Sequence, residues 1–138
     1  MKDIFLANCT ANWPVTIAVF GLAAYFFGVT ALFIAKPVKN AAMFAMKPDG
    51  PAGVTEIRVY YGGISFALGF FLLYLFFSGL GEYALAGGLT FANVVFFTRF
   101  IFTFVDKGWK EKYTKLAIPT EAAFVVLLWL MFALGKLV

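Results

Sequence analysis

The chain has 138 residues, 63% hydrophobic, 20% aromatic and only 13% charged, with mean hydropathy +0.91 and a net charge of +4. A soluble domain averages about 25% charged residues, so a water-surrounded globular domain is excluded. The bases flank apolar runs, which excludes nucleic acid as a partner, and the absence of His with a single cysteine, Cys9, removes His-activated nucleophiles, most zinc sites and an internal disulfide.

A helix rising 1.5 Å per residue needs about 20 apolar residues to cross a hydrocarbon core of about 30 Å. Four runs reach that length, over 13–35, 57–78, 83–105 and 119–138, and none carries a charge near its middle. With their short loops they fill nearly the whole chain. The expectation is an all-α polytopic membrane protein, one domain over 1–138, built as a four-helix transmembrane bundle. Ahead of the first run, Lys2 is the lone base, and Asn8, Cys9, Thr10 and Asn12 interrupt the apolar character, which argues for a retained segment rather than a cleaved signal.

Between the first two spans, Pro37-Val-Lys-Asn-Ala-Ala-Met-Phe-Ala-Met46 places Pro at the start of a helix, where no donor is needed. Val38, Ala41, Ala42, Ala45 and Met46 recur at helical spacing, and Lys36, Lys39 and Lys47 flank them. The pattern predicts a short amphipathic helix on the membrane surface. Lys47-Pro-Asp-Gly-Pro-Ala-Gly53 then supplies breakers that turn the chain into the second span.

The second span opens with Glu56 and Arg58, followed by Gly62, Gly63, Ser65, Ala67 and Gly69. Small residues four apart recur in every span but the last: Gly63 with Ala67, Ser65 with Gly69, Ala24 with Gly28, and Ala84 with Gly88 and Ala92. Lipid supplies no hydrophobic drive for helix pairing, so such stripes let backbones approach. Packing within one bundle is the expected use, ahead of a dimer face.

The third span holds Arg99, Thr103 and Asp106 at i, i+4 and i+7, and the fourth opens with Pro119 and Glu121. Arg99 is expected about 10 Å inside the bundle end at helical rise. An Arg at that depth needs a partner, and Glu121, Glu56 and Asp106 are all at compatible depth. Two readings of the cluster Glu56, Arg58, Arg99, Thr103, Asp106 and Glu121 compete. In one, Arg99 pairs with a carboxylate to fix helix register. In the other, the cluster lines a cavity for an anion, a lipid head group or a proton.

Orientation follows from the loops. The first and third loops with their flanks carry eight bases (Lys36, Lys39, Lys47, Arg58, Lys107, Lys110, Lys112 and Lys115), against Lys2 and Lys136 on the opposite side. Loops 36–56 and 106–118 are therefore expected in the cytoplasm and both termini outside, with Trp13, Tyr83 and Trp129 at the outer interface and Trp109 and Tyr113 at the inner one.

The stretch Glu56-Ile-Arg-Val-Tyr-Tyr-Gly-Gly63 and the helix after it resemble the second span of a widespread bacterial family of small four-span proteins of unknown function. Arg58, Tyr61, Gly62, Gly63 and Gly69 fit that pattern, as do Arg99 before Asp106 and Gly108, and Pro37 after the first span. The resemblance implies a four-helix bacterial inner-membrane protein and no particular activity.

No P-loop, GxGxxG or paired-carboxylate metal motif is present. The expected role is a non-enzymatic accessory or structural subunit of a membrane complex, without cofactor. Its expected partners are the bilayer and other membrane subunits or further copies of itself. The alternatives are a small oligomeric transporter or channel for an anion or small solute, a lipid-binding protein, and, last, a lipid-modifying enzyme.

Overall fold

A computed structural model describes residues 12–138; Cys9 and Lys2 lie outside the described residues. Five helices follow in chain order: α1 Trp13–Ala35, α2 Pro37–Met43, α3 Gly50–Phe77, α4 Gly81–Val105 and α5 Lys112–Gly135. No strand occurs among the described residues. All four long helices have the length and apolar composition to cross a membrane, and the protein is a multi-pass, all-α membrane bundle.

The helix ends follow local chemistry rather than the limits of the apolar runs. Asn12 caps α1 by accepting from the Val15 N–H at 3.4 Å. The helix stops at Ala35, because Lys36 precedes Pro37 and is pushed out of the helical region (φ −136°). The α3 helix begins at Gly50, within the stretch expected to be a turn, because Pro51 falls in the first turn, where no donor is needed. Likewise α5 begins at Lys112 and carries Pro119 inside it, so Glu121 lies in the helix body rather than at its start.

The short helix α2 is present but ends at Met43, three residues earlier than its apolar spacing predicts. It closes in a Schellman motif: Met46 N–H reaches Ala41 O at 3.1 Å and Ala45 N–H reaches Ala42 O at 3.1 Å. Pro37, Asn40 and Ala41 are buried, whereas Val38, Ala42 and Met43 are exposed. The buried face rests on the ends of α1 and α3, where Phe33, Ala41 and Ile57 form a small cluster with Phe44, Met46 and Tyr61.

The main cluster fills the other end, where the termini and the α3–α4 turn lie. Val19, Leu22, Phe26, Leu72, Leu85 and Leu128 are at its centre, drawn from all four long helices. Consecutive long helices are neighbours, and α1 also packs across the bundle against α4. Two of the small-residue stripes serve this packing. Ala84 and Gly88 are buried against α1, and Ser65 and Gly69 against α1 from the α3 side. Gly63 with Ala67 and Ala24 with Gly28 face outward instead. The outer surface is apolar and aromatic, with Phe70, Tyr74, Phe97, Phe100 and Phe104 among the exposed rings.

Candidate functional site

The bundle is held differently at its two ends. No residue of α4 or α5 belongs to the small cluster at the basic-loop end. There α4 and α5 form their own pair, joined to the rest by ring contacts: Phe44 meets Tyr113 at 4.9 Å and Tyr25 meets Phe124 at 5.8 Å. The intramembrane charges lie on this α4–α5 pair.

Arg99 lies about 9 Å inside the end of α4 at Val105, by helical rise. Its Nε donates to both carboxylate oxygens of Glu121 at 2.8 Å. The two side chains are 30% and 26% exposed. The Arg99 guanidinium also stands over the Tyr113 ring, 5.4 Å from its centroid. Of the carboxylates at compatible depth, Glu121 is the partner because α4 and α5 are antiparallel neighbours joined by a short turn.

The other expected members are not brought to this pair. Glu56 is exposed in the second turn of α3. Asp106 is exposed as the C-cap of α4, its N–H bonded to Phe102 O. Thr103 is buried on α4. Arg58 serves α1 instead: its Nε donates to Ile34 O at 3.3 Å, and Asn40 Nδ2 donates to Leu32 O at 2.5 Å. Arg58 thus supplies a donor to a carbonyl in the last turn of α1, where a positive charge also favours the helix dipole, and Asn40 adds a second donor to Leu32 O, which already accepts from Lys36 N–H.

The Arg58-Val-Tyr-Tyr-Gly-Gly63 stretch is a π-helical segment within α3. Its wider turn coincides with the crossing of α1. Thr30 Oγ1 donates to Gly62 O at 3.1 Å, and a Cβ on Gly62 would stand 2.8 Å from Ile34 Cδ1. These residues thus set the approach of α1 to α3 and leave no phosphate cradle.

Below Glu121 a cleft of about 50 Å³ runs between α1, α4 and α5, lined by Tyr25, Phe91, Ala92, Val95 and Phe124 among others. A cavity needs about 10–15 Å³ to hold a water, so this one admits a few waters. Sites for metabolite-sized ligands run to about 300–1,000 Å³. Further along, polar groups are used locally. Asn93 Nδ2 bonds Leu89 O at 2.7 Å while its Oδ1 accepts from Trp129 Nε1 at 3.4 Å. At the terminal end Lys136 pairs with Glu82, and Asn12 Nδ2 bonds Gly135 O at 3.0 Å.

Sequence reasoning missed Tyr25 as a member of the site and treated Tyr113 only as an interface residue. The spacing carried a signal for Tyr113: it lies two helical turns before Glu121, on nearly the same face of α5. Tyr25 carried none, because its neighbours come from other helices. Among the described residues no group of three or more His, Cys, Asp or Glu gathers to hold a metal ion.

A family model described as a domain of unknown function, DUF4345, matches residues 14–132. The chain belongs to this family. The match runs from the first turn of α1 to the last turns of α5, so it covers the whole bundle. Searches of curated proteins and of solved structures return no match. A family so described passes on no activity, and function lies in the site rather than the fold.

Proposed function

We propose that this protein is a bacterial inner-membrane subunit without catalysis of its own, an accessory or structural partner of other membrane chains or of further copies of itself. Its termini face the periplasm and loops 36–56 and 106–118 face the cytoplasm. The bias of eight bases against two supports that orientation.

One observation carries the reading: the intramembrane charge is turned inward on itself. Arg99 and Glu121 neutralise each other, and beyond them the polar groups bond within the bundle rather than lining a path. A transporter needs polar groups that are engaged differently in two states. Here a cluster of buried apolar side chains from all four long helices occupies the centre of the far half of the bundle. A multi-pass chain of this size acts through the surface it presents, which is broad, apolar and aromatic.

The partial exposure of Arg99 and Glu121 favours the second reading, a small oligomeric transporter or channel. Reconstitution into liposomes, with a panel of ions and small solutes, separates the two. The subunit reading expects flux no greater than from empty vesicles. Flux that disappears in Arg99→Leu overturns it and supports the transporter.

A further inference from the structure

Arg99 carries five N–H donors, and Glu121 takes one of them. The carboxylate is held by Nε alone. A fork-to-fork pairing would have engaged two nitrogens. Among the described residues nothing accepts from Nη1 or Nη2, and neither atom is buried. Four donors therefore face a region where water is scarce, and each unmet donor there is costly.

The direction of the side chain narrows what meets them. Glu121 and Tyr113 stand two turns apart on α5, about 12 Å by helical rise. The guanidinium touches both, so it reaches from Glu121 toward the basic-loop end. That is the snorkelling direction for a long cation. The segment above it carries Lys107, Lys110, Lys112 and Lys115 against Asp106 and Glu111, and all six are exposed. Trp109, half exposed with Lys110 over its ring, marks the level of the interface. A diester phosphate offers two anionic oxygens that match the two Nη nitrogens, which a lysine does not reproduce. The cleft below Glu121 is too small to draw in a free solute.

We infer that Arg99 Nη1 and Nη2, beside Tyr113, bind the phosphate of an anionic phospholipid from the leaflet on the side of the basic loops. Glu121 then acts as the positioning residue. It holds Nε and turns the terminal nitrogens toward the head group, while its charge weakens the attraction. The binding site is independent of whether the protein is a subunit, since it needs only one chain and one lipid.

The test uses the full chain, delipidated in detergent and titrated with phosphatidylglycerol, phosphatidylcholine or inorganic phosphate. Bound lipid is read by native mass spectrometry. Phosphatidylglycerol is expected to bind the wild type, with Arg99→Lys weakening it by about tenfold or more, as loss of charge-assisted bonds implies. Lys110→Gln should weaken it by about fivefold or less, since it removes one of several exposed bases that attract the anionic surface without touching the phosphate. Glu121→Gln should bind it more tightly than wild type while melting at a lower temperature, a combination a merely structural ion pair does not give. Circular dichroism verifies that each variant is folded, and Glu121→Gln carries the test if Arg99→Lys is not. Equal binding by wild type and Arg99→Lys, or weaker binding by Glu121→Gln, overturns the site. Equal losses in Arg99→Lys and Lys110→Gln reduce it to diffuse attraction, and displacement of the lipid by millimolar inorganic phosphate makes it a free-anion site. Phosphatidylcholine binding as tightly as phosphatidylglycerol removes the preference for anionic lipid.

Discussion

Gly87 and Gly88 are adjacent in α4, yet their surroundings are opposite. A Cβ on Gly88 would stand 2.5 Å from Leu22 Cδ1, and Leu22 is one of the most deeply buried side chains. A Cβ on Gly87 meets nothing within 4 Å. Gly88→Ala should therefore destabilise the bundle by about 1–3 kcal/mol through overpacking. Gly87→Ala should be neutral or stabilising by up to about 1 kcal/mol, from helix propensity alone. Thermal unfolding of both variants in one detergent checks this; equal effects would contradict the tight α1–α4 contact. The Arg99–Glu121 pair is likewise open to substitution. Breaking a buried pair by removing one partner costs about 3–5 kcal/mol, and partial exposure reduces that to about 2. Arg99→Leu should lower stability more than Lys110→Leu, whose head is exposed. Adding Glu121→Leu to Arg99→Leu should recover part of the loss, which a double-mutant cycle measures as coupling. Strict additivity of the two changes would mean that the pair contributes nothing.

Two helix ends share one motif with different residues at the critical place. After α3, Gly79 takes a left-handed conformation (φ 79°), with Leu80 N–H bonded to Leu75 O at 2.9 Å. After α2, Ala45 holds the same region (φ 57°). The left-handed form costs an L-residue about 1–2 kcal/mol, which glycine avoids. Ala45→Gly should thus slow hydrogen exchange at Ala45 and Met46, whose N–H groups close the motif, and stabilise that end by about 1 kcal/mol. Gly79→Ala should do the reverse at Leu80. Matching signs for the two variants would contradict the shared motif. The same elements mark how far the sequence was readable. The four long helices were legible because apolar runs of that length have one solution in lipid. Their ends were not, because hydrogen bonding carries α3 and α5 into the polar flanks at Gly50 and Lys112. The burial of Asn40 on α2 was not legible, because its partner Leu32 O lies on α1. The π segment at Arg58–Gly63 has no signature in periodicity. The Arg99–Glu121 pair was legible as one of three options, and helix adjacency decided it.

For the whole molecule, the main apolar cluster lies toward the termini, and toward the basic loops a smaller cluster joins α1, α2 and α3 while ring contacts reach α5. The proposed orientation puts the half with the main cluster outside. Cys9 lies outside the described residues, but as the single cysteine it reports on topology without ambiguity. It should react with a membrane-impermeant thiol reagent added to the periplasmic side, and reaction only from the cytoplasmic side would reverse the assignment. In the proposed role the chain works through its apolar surface against other membrane chains or further copies of itself. Extraction of the tagged protein from its native membrane in polymer nanodiscs, without detergent, shows whether it has such partners. A complex of fixed stoichiometry is expected, with another membrane chain or with copies of itself. A solitary chain surrounded only by lipid would contradict it.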